Sequence, residues 1–142
     1  EASHRVVAMM GVEPFQKALR DGAQVVLAGR ATDASIYSAI PLMRGYDPGL
    51  VWHLSKIIEC AGAVAVPKTG QDCMIGTLKA DHFLVAPAHP DSRCTRMSVA
   101  AHTLYENPSP YHLEEPGGTL VTLGSTYEQL DHRTVKVAGS RF

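Results

Sequence analysis

An apolar run that stops on a glycine, meets an arginine and then a helix-start signal constrains this chain more than any other feature. The stretch is Gly22-Ala23-Gln24-Val25-Val26-Leu27-Ala28-Gly29-Arg30-Ala31-Thr32-Asp33-Ala34-Ser35. Val25-Val26-Leu27 is apolar on both faces, which predicts a central strand over Gln24 to Ala28. Thr32 is the expected N-cap of the next helix, with Asp33 in its first turn, where negative charge suits the helix dipole. In α/β proteins such a junction is a ligand position, because a strand end meets a helix N-terminus with unpaired N–H groups.

The flanking segments extend this into a fold class. Arg5 to Met10 reads as a short buried strand. Val12 to Asp21 reads as a helix, with Phe15, Ala18 and Leu19 at helical spacing and Gly22 at the C′ position. A short helix after Thr32 is expected to end before Pro41 and Gly45. Asp47 to Ala61 is the clearest helix: Asp47 caps it, Pro48 fills the first helical position, and Leu50, Leu54, Ile57, Ile58 and Ala61 form one apolar stripe. Trp52, His53, Lys56 and Glu59 lie off that stripe, and His53 and Lys56, three apart on its non-core side, are expected on a surface face. Strands are predicted over Cys73 to Leu78 and His82 to Val85, with Lys79-Ala80-Asp81 as the turn. Arg96 to Glu106 reads as a helix capped by Thr95, with Met97, Ala100, Ala101 and Leu104 on its buried side. Pro108 to Gly118 is a long loop, and Thr119 to Leu123 and Thr134 to Ala138 are β-like, with Asp131-His132-Arg133 a turn into the last strand. The expected architecture is therefore one α/β unit: a partly parallel sheet flanked by helices, with a more β-rich C-terminal third.

Composition narrows the function. The 142 residues suffice for one domain, and a formal net charge of −1 argues against nucleic acid or an anionic membrane as the main partner. No apolar run reaches a membrane span, and no signal-peptide pattern is present. Cys60, Cys73 and Cys94 form no Cys-x-x-Cys pair, so a reduced, cytoplasmic setting is expected. Neither a P-loop nor Gly-x-Gly-x-x-Gly occurs, which removes support for a dinucleotide cofactor, and Gly-x-Ser-x-Gly is absent too.

Two constellations carry chemistry. In Gly29-Arg30-Ala31-Thr32-Asp33, helix N–H groups, the Thr32 hydroxyl and the Arg30 guanidinium would grip a carboxylate or phosphate; the plainer reading pairs Arg30 with Asp33. His102 and Glu106 are four apart on a predicted helix, which sets them on one face for acid/base work or as two metal ligands. No spacing supplies further ligands, so no metal is expected, and a solvated helix face is the alternative. Lys68, in the loop Pro67-Lys68-Thr69-Gly70-Gln71-Asp72, could close over a ligand. Glu114-Glu115-Pro116-Gly117-Gly118 could act as a lid or simply turn the backbone. Cys73, beside Met74 and Ile75, reads as a small buried hydrophobe.

The run Gly22 to Ser35, the segment Val99-Ala100-Ala101-His102-Thr103-Leu104-Tyr105-Glu106 and Glu115-Pro116-Gly117-Gly118 together resemble the acyclic terpene utilization protein A family over nearly all of the chain. Members of that family are several hundred residues long, which implies an internal segment of a longer protein. The family is tied to bacterial breakdown of branched acyclic terpenoids such as citronellol and geraniol through coenzyme A thioesters. The resemblance implies an enzyme acting on a branched acyl, carboxylate or acyl-CoA intermediate, with hydration, lyase or thioester chemistry all compatible. It implies equally an accessory or scaffold subunit of an acyl-CoA pathway. Apolar surface left by the missing family regions would favour a homo-oligomer.

Overall fold

The computed structural model describes residue 5, residues 8–68 and residues 72–142. The expectation for Arg5 to Met10 falls partly outside these. Three helices come first: α1 Glu13–Arg20, α2 Ser35–Met43 and α3 Pro48–Ile58. Strands β1 Met74–Leu78 and β2 His82–Pro87 follow, then helix α4 Arg96–Ala101. The chain closes with β3 His112–Glu115, β4 Gly118–Val121, β5 Thr126–Gln129 and β6 Val135–Ala138.

The strands form a four-stranded sheet in the order β1-β2-β6-β5 and a separate β3-β4 hairpin. Every strand pair is antiparallel. The expected partly parallel sheet is thus corrected to an α+β arrangement with antiparallel sheets. The predicted strand Gln24 to Ala28 lies outside regular secondary structure, with no ladder partner among the described residues; Val25 is 85% and Leu27 99% exposed. An apolar run becomes a buried strand only where neighbours take up its N–H and C=O groups. Here one isolated parallel bridge, Met10 to Ala31, tethers its end.

α3 is the centre of the molecule. Asp47 caps it, its carboxylate accepting from the Leu50 N–H at 3.0 Å, and Pro48 opens it as its φ preference allows. Leu50, Leu54 and Ile57 face the large sheet and pack with Phe83, Val85, Val99, Val135 and Val137. Along β2 and β6 these inward residues alternate with outward ones, as one covered sheet face requires. The other side of α3 carries Trp52, which packs with Val12 and Phe15 from α1 and its approach, Ala34 and Ala39, and Leu113 and Leu120 of the hairpin. Eight of the eleven α3 residues are buried, so the single-stripe expectation is corrected: layers on both sides leave this helix little solvent face.

Other local expectations shift for identifiable reasons. Pro41 lies inside α2 instead of beyond it, in the last turn. Thr32 does not cap α2. Its carbonyl accepts from the Ser35 N–H and its hydroxyl pairs with the Ser35 hydroxyl, and Ala34 occupies the cap position. Thr95 does cap α4, in a full capping box with Ser98. That helix stops at Ala101 and continues as a 3-10 turn over His102–Leu104, which rotates its faces: Met97 is 74% and Leu104 61% exposed, while Val99, His102 and Thr103 are buried. The expected loop before Gly118 contains β3. Pro116 and Gly117, the latter at φ +89°, form the tight turn of the β3-β4 hairpin, the backbone role expected of them. Cys73 is exposed, not buried.

Gly49 sits where α3 passes the chain that follows β6. A Cβ there would lie 2.5 Å from the Ser140 carbonyl oxygen and 2.6 Å from the Arg141 Cα, both backbone atoms that cannot swing aside. Alanine gains about 1 kcal/mol of helix propensity over glycine, whereas overpacking a tight contact costs about 1–3 kcal/mol. Backbone contacts inside 3.0 Å put the cost at the upper end of that range, so we expect Gly49→Ala to lose a net of about 2 kcal/mol in urea denaturation. Unchanged stability would mean that the C-terminal segment yields freely.

Candidate functional site

The residues from Gly29 to Asp33 do border a cavity. A cleft of about 660 Å³ is lined by Phe15, Val26 to Asp33, Ile36, Tyr37 and Glu59. Its lining is apolar along the chain entering α2 and polar at Arg30, Asp33 and Glu59. Arg30 and Asp33 approach to 3.7 Å, and each side chain is 70% exposed, so their ion pair is weak and exchangeable. Arg30 therefore stands at a solvent-facing mouth and is not neutralised inside the protein.

A second, smaller cavity of about 240 Å³ shares Arg30, Thr32, Asp33 and Glu59 with the first and adds Lys56, Glu106, Asn107, Glu114 and Glu115. Its inner wall comes from the last turn of α3. Lys56 donates to Glu59 Oε1 at 2.7 Å, and the two side chains are only 18% and 4% exposed. Glu59 Oε2 is buried with no hydrogen-bond partner. Burial raises the Glu59 pKa, and Lys56 pulls it back. For Lys56, burial acts to lower the pKa, but the Glu59 hydrogen bond and the charges of Glu59 and Glu115 outweigh it and raise it. Glu115 stands at the end of β3, where burial lifts its pKa to about 7, with Lys56 opposing and Glu59 adding to the rise. A carboxyl near 7 exchanges protons readily at neutral pH.

The predicted His102–Glu106 pair does not form. The α-helix ends before His102 and Glu106 takes a left-handed φ of 57°, so four-residue spacing no longer puts them on one face. Glu106 lines the cavity of Lys56 and Glu59, whereas His102 lines a different one of about 440 Å³ with Lys68, Ser98, Val66 and Tyr105. His102 is buried, stacks on Tyr105 at 5.5 Å, and its Nε2 lacks a partner. Burial lowers its pKa. Lys68 borders this third cavity, not the Arg30 cleft. The structure thus joins Gly29, Arg30, Thr32, Asp33 and Glu106 around two adjoining cavities and sets His102 and Lys68 apart from them.

Lys56, Glu59 and Glu115 were missed as site residues, and so was His53 as a core residue. His53 is fully buried; Nδ1 is 2.6 Å from the Ser140 hydroxyl and Nε2 3.4 Å from the Tyr127 hydroxyl. Neither His53 nor Ser140 lines any of the cavities described here, so this chain of hydroxyls serves packing. A signal was available for α3. Its segment, Pro-Gly-Leu-Val-Trp-His-Leu-Ser-Lys-Ile-Ile, carries one charged residue in three turns, the mark of a helix covered on most sides.

Among the described residues, no group of three His, Cys, Asp or Glu side chains is arranged to hold a metal ion, and no helix is long and apolar enough to cross a membrane. Residues 2–68 match the family model described as acyclic terpene utilisation family protein AtuA. The match spans α1, α2, α3 and the Gly22 to Ser35 run, and so all of the lining of the Arg30 cleft; the other two stretches that carry the sequence resemblance lie beyond it. No curated protein and no solved structure matches the chain.

Proposed function

We propose that, within the terpene-utilisation setting given by the match of residues 2–68, this chain binds a branched acyl carboxylate, free or as its coenzyme A thioester, in the cleft at Gly29 to Asp33. The observation that carries the reading is the polarity of that cleft. An exchangeable guanidinium borders the cleft, apolar side chains line its wall, and Glu59, held by Lys56 of the adjoining cavity, is its one buried carboxylate. An acyl chain fits the wall, and its anionic group fits Arg30 as a charge-assisted partner. The carboxylates deeper in would repel an anion, so the charged end stays at the mouth and the neutral end enters. Glu115, which lines the adjoining smaller cavity and not the cleft itself, is a group able to give or take a proton at neutral pH near this site. Hydration, lyase and thioester chemistry all require such a step.

The test is a titration of the protein with citronellate and citronellyl-CoA, followed by amide NMR shifts and calorimetry. Shifts should cluster at Val26 to Asp33 and Ile36. Arg30→Ala should weaken binding about tenfold, the lower end for a charge-assisted contact because this one is solvent-exposed. Equal affinity of the variant, or shifts elsewhere, would remove the cleft reading. A second reading, an accessory subunit that docks on an acyl-CoA enzyme, is favoured by the apolar side chains of Val25, Leu27, Ile36 and Ile40, which are 47–99% exposed. Co-sedimentation with acyl-CoA carboxylases in the absence of any ligand binding would decide for it.

A further inference from the structure

We infer that Glu59 is a specificity residue that accepts a hydrogen bond from a hydroxyl group on the inward end of the acyl ligand, so that the cleft selects a hydroxylated branched acid over its deoxygenated counterpart. The inference rests on the cleft reading above and adds the chemical class of the ligand. Three observations carry it. The Glu59 side chain is 4% exposed and is among the residues that border both adjoining cavities. Its Oε1 is taken by Lys56 at 2.7 Å, which fixes the carboxylate, and its Oε2 has no partner. Neither neighbouring donor that lines the same cavities bonds to Oε2: the Thr32 hydroxyl pairs with Ser35, and Arg30 pairs loosely with Asp33.

A buried carboxylate oxygen calls for a donor, because leaving it unpaired carries the desolvation cost of a charged group. An ammonium group would bring a second positive charge next to Lys56. A hydroxyl supplies one donor hydrogen and no charge, and it can sit at the end of an apolar skeleton that fills the cleft wall. Sites that hydrogen-bond a ligand hydroxyl discriminate strongly against the analogue without it, whereas apolar walls discriminate weakly between similar skeletons.

The experiment compares hydroxycitronellate, which ends in a tertiary alcohol, with dihydrocitronellate, the same skeleton ending in hydrogen, by calorimetry on the wild-type protein, Glu59→Gln and Glu59→Leu. We expect the alcohol to bind about tenfold tighter to wild type, in line with one hydrogen bond to a charged group. Glu59→Gln should cut that preference severalfold, and Glu59→Leu should abolish it. If Glu59→Leu fails to fold, the glutamine variant decides alone. Equal binding of the two ligands to wild type, or a preference that survives in Glu59→Gln, overturns the inference and leaves the cleft reading intact. Binding of neither ligand overturns both.

Discussion

Below pH 6.5 the wild-type protein should lose stability relative to a His53→Gln variant, by about 1.4 kcal/mol for each pH unit, until about pH 3. His53 is fully buried on α3 between Phe83 and Tyr127, and burial lowers its pKa from the ordinary 6.5 to about 3. The sign follows from proton counting. Between those two values the unfolded chain holds the extra proton and the folded chain does not, so each step down in pH favours unfolding. At pH 7 both states are neutral at this position and nothing is lost. The full effect approaches about 5 kcal/mol, a large share of the 5–15 kcal/mol that typically separates folded from unfolded domains. Tyr127, whose own pKa burial raises to about 12, keeps its proton throughout, so its hydroxyl beside His53 Nε2 brings no negative charge to stabilise a protonated ring. The comparison with His53→Gln is needed because other groups titrate in the same window. Glu115 and Glu59, with raised values, stabilise the fold as pH falls through them, while His102, with a lowered value, acts in the same direction as His53. Urea denaturation from pH 7 to pH 4 should show the gap between the two proteins closing. Parallel curves would mean that His53 opens to solvent in the native state.

Trp52→Ala should cost about 4 kcal/mol and lower Tm by roughly 10 °C. Trp52 is 2% exposed, stacks on Phe142 at 5.7 Å and packs in the cluster that joins α1, α2 and the β3-β4 hairpin to α3. Truncation removes the largest side chain of that cluster and leaves a cavity bounded by separate elements that cannot all collapse into it. Met97→Ala and Leu104→Ala are the matching controls: with most of both side chains in solvent, each should stay within about 0.5 kcal/mol of wild type. Thermal unfolding of the three variants checks the ordering. A Tm for Trp52→Ala no lower than those of the controls would place the structural centre elsewhere than α3.

These two residues also show where sequence reasoning failed. The i, i+4, i+7 pattern correctly found the Leu50, Leu54 and Ile57 side of α3, but a stripe describes one partner layer and α3 has two. Trp52 and His53 lie off that stripe, so nothing in that pattern marks them as core. The opposite error occurred on α4: helical spacing was extended through His102 to Glu106, although the backbone tightens into a 3-10 turn and then turns left-handed at Glu106. A change of one turn type rotates every later side chain, which separated His102 from Glu106 and exposed Leu104. At the candidate site, the residues of Gly29 to Asp33 were legible because a glycine, an arginine and a helix entry are local signals. Lys56, Glu59 and Glu115 were not, because they come from α3 and β3, more than fifty residues apart, and only packing brings them to one cavity.

What the sequence determined by itself is therefore whatever the chain settles within a few residues. The α3 start at Asp47-Pro48, the Thr95 cap, the ends of α1 and α2 at Gly22 and Gly45, the β1-β2 hairpin around Lys79-Ala80-Asp81 and the turn at Asp131 to Arg133 all rest on local hydrogen bonds or fixed backbone angles. Tertiary structure alone decided strand direction, the fate of Gln24 to Ala28, the burial of His53 and the meeting of Lys56, Glu59 and Glu115. The physical reason is that ladder pairing and desolvation depend on distant neighbours: an apolar pentapeptide is a strand only beside another strand, and a charged side chain is buried only where a second layer closes over it.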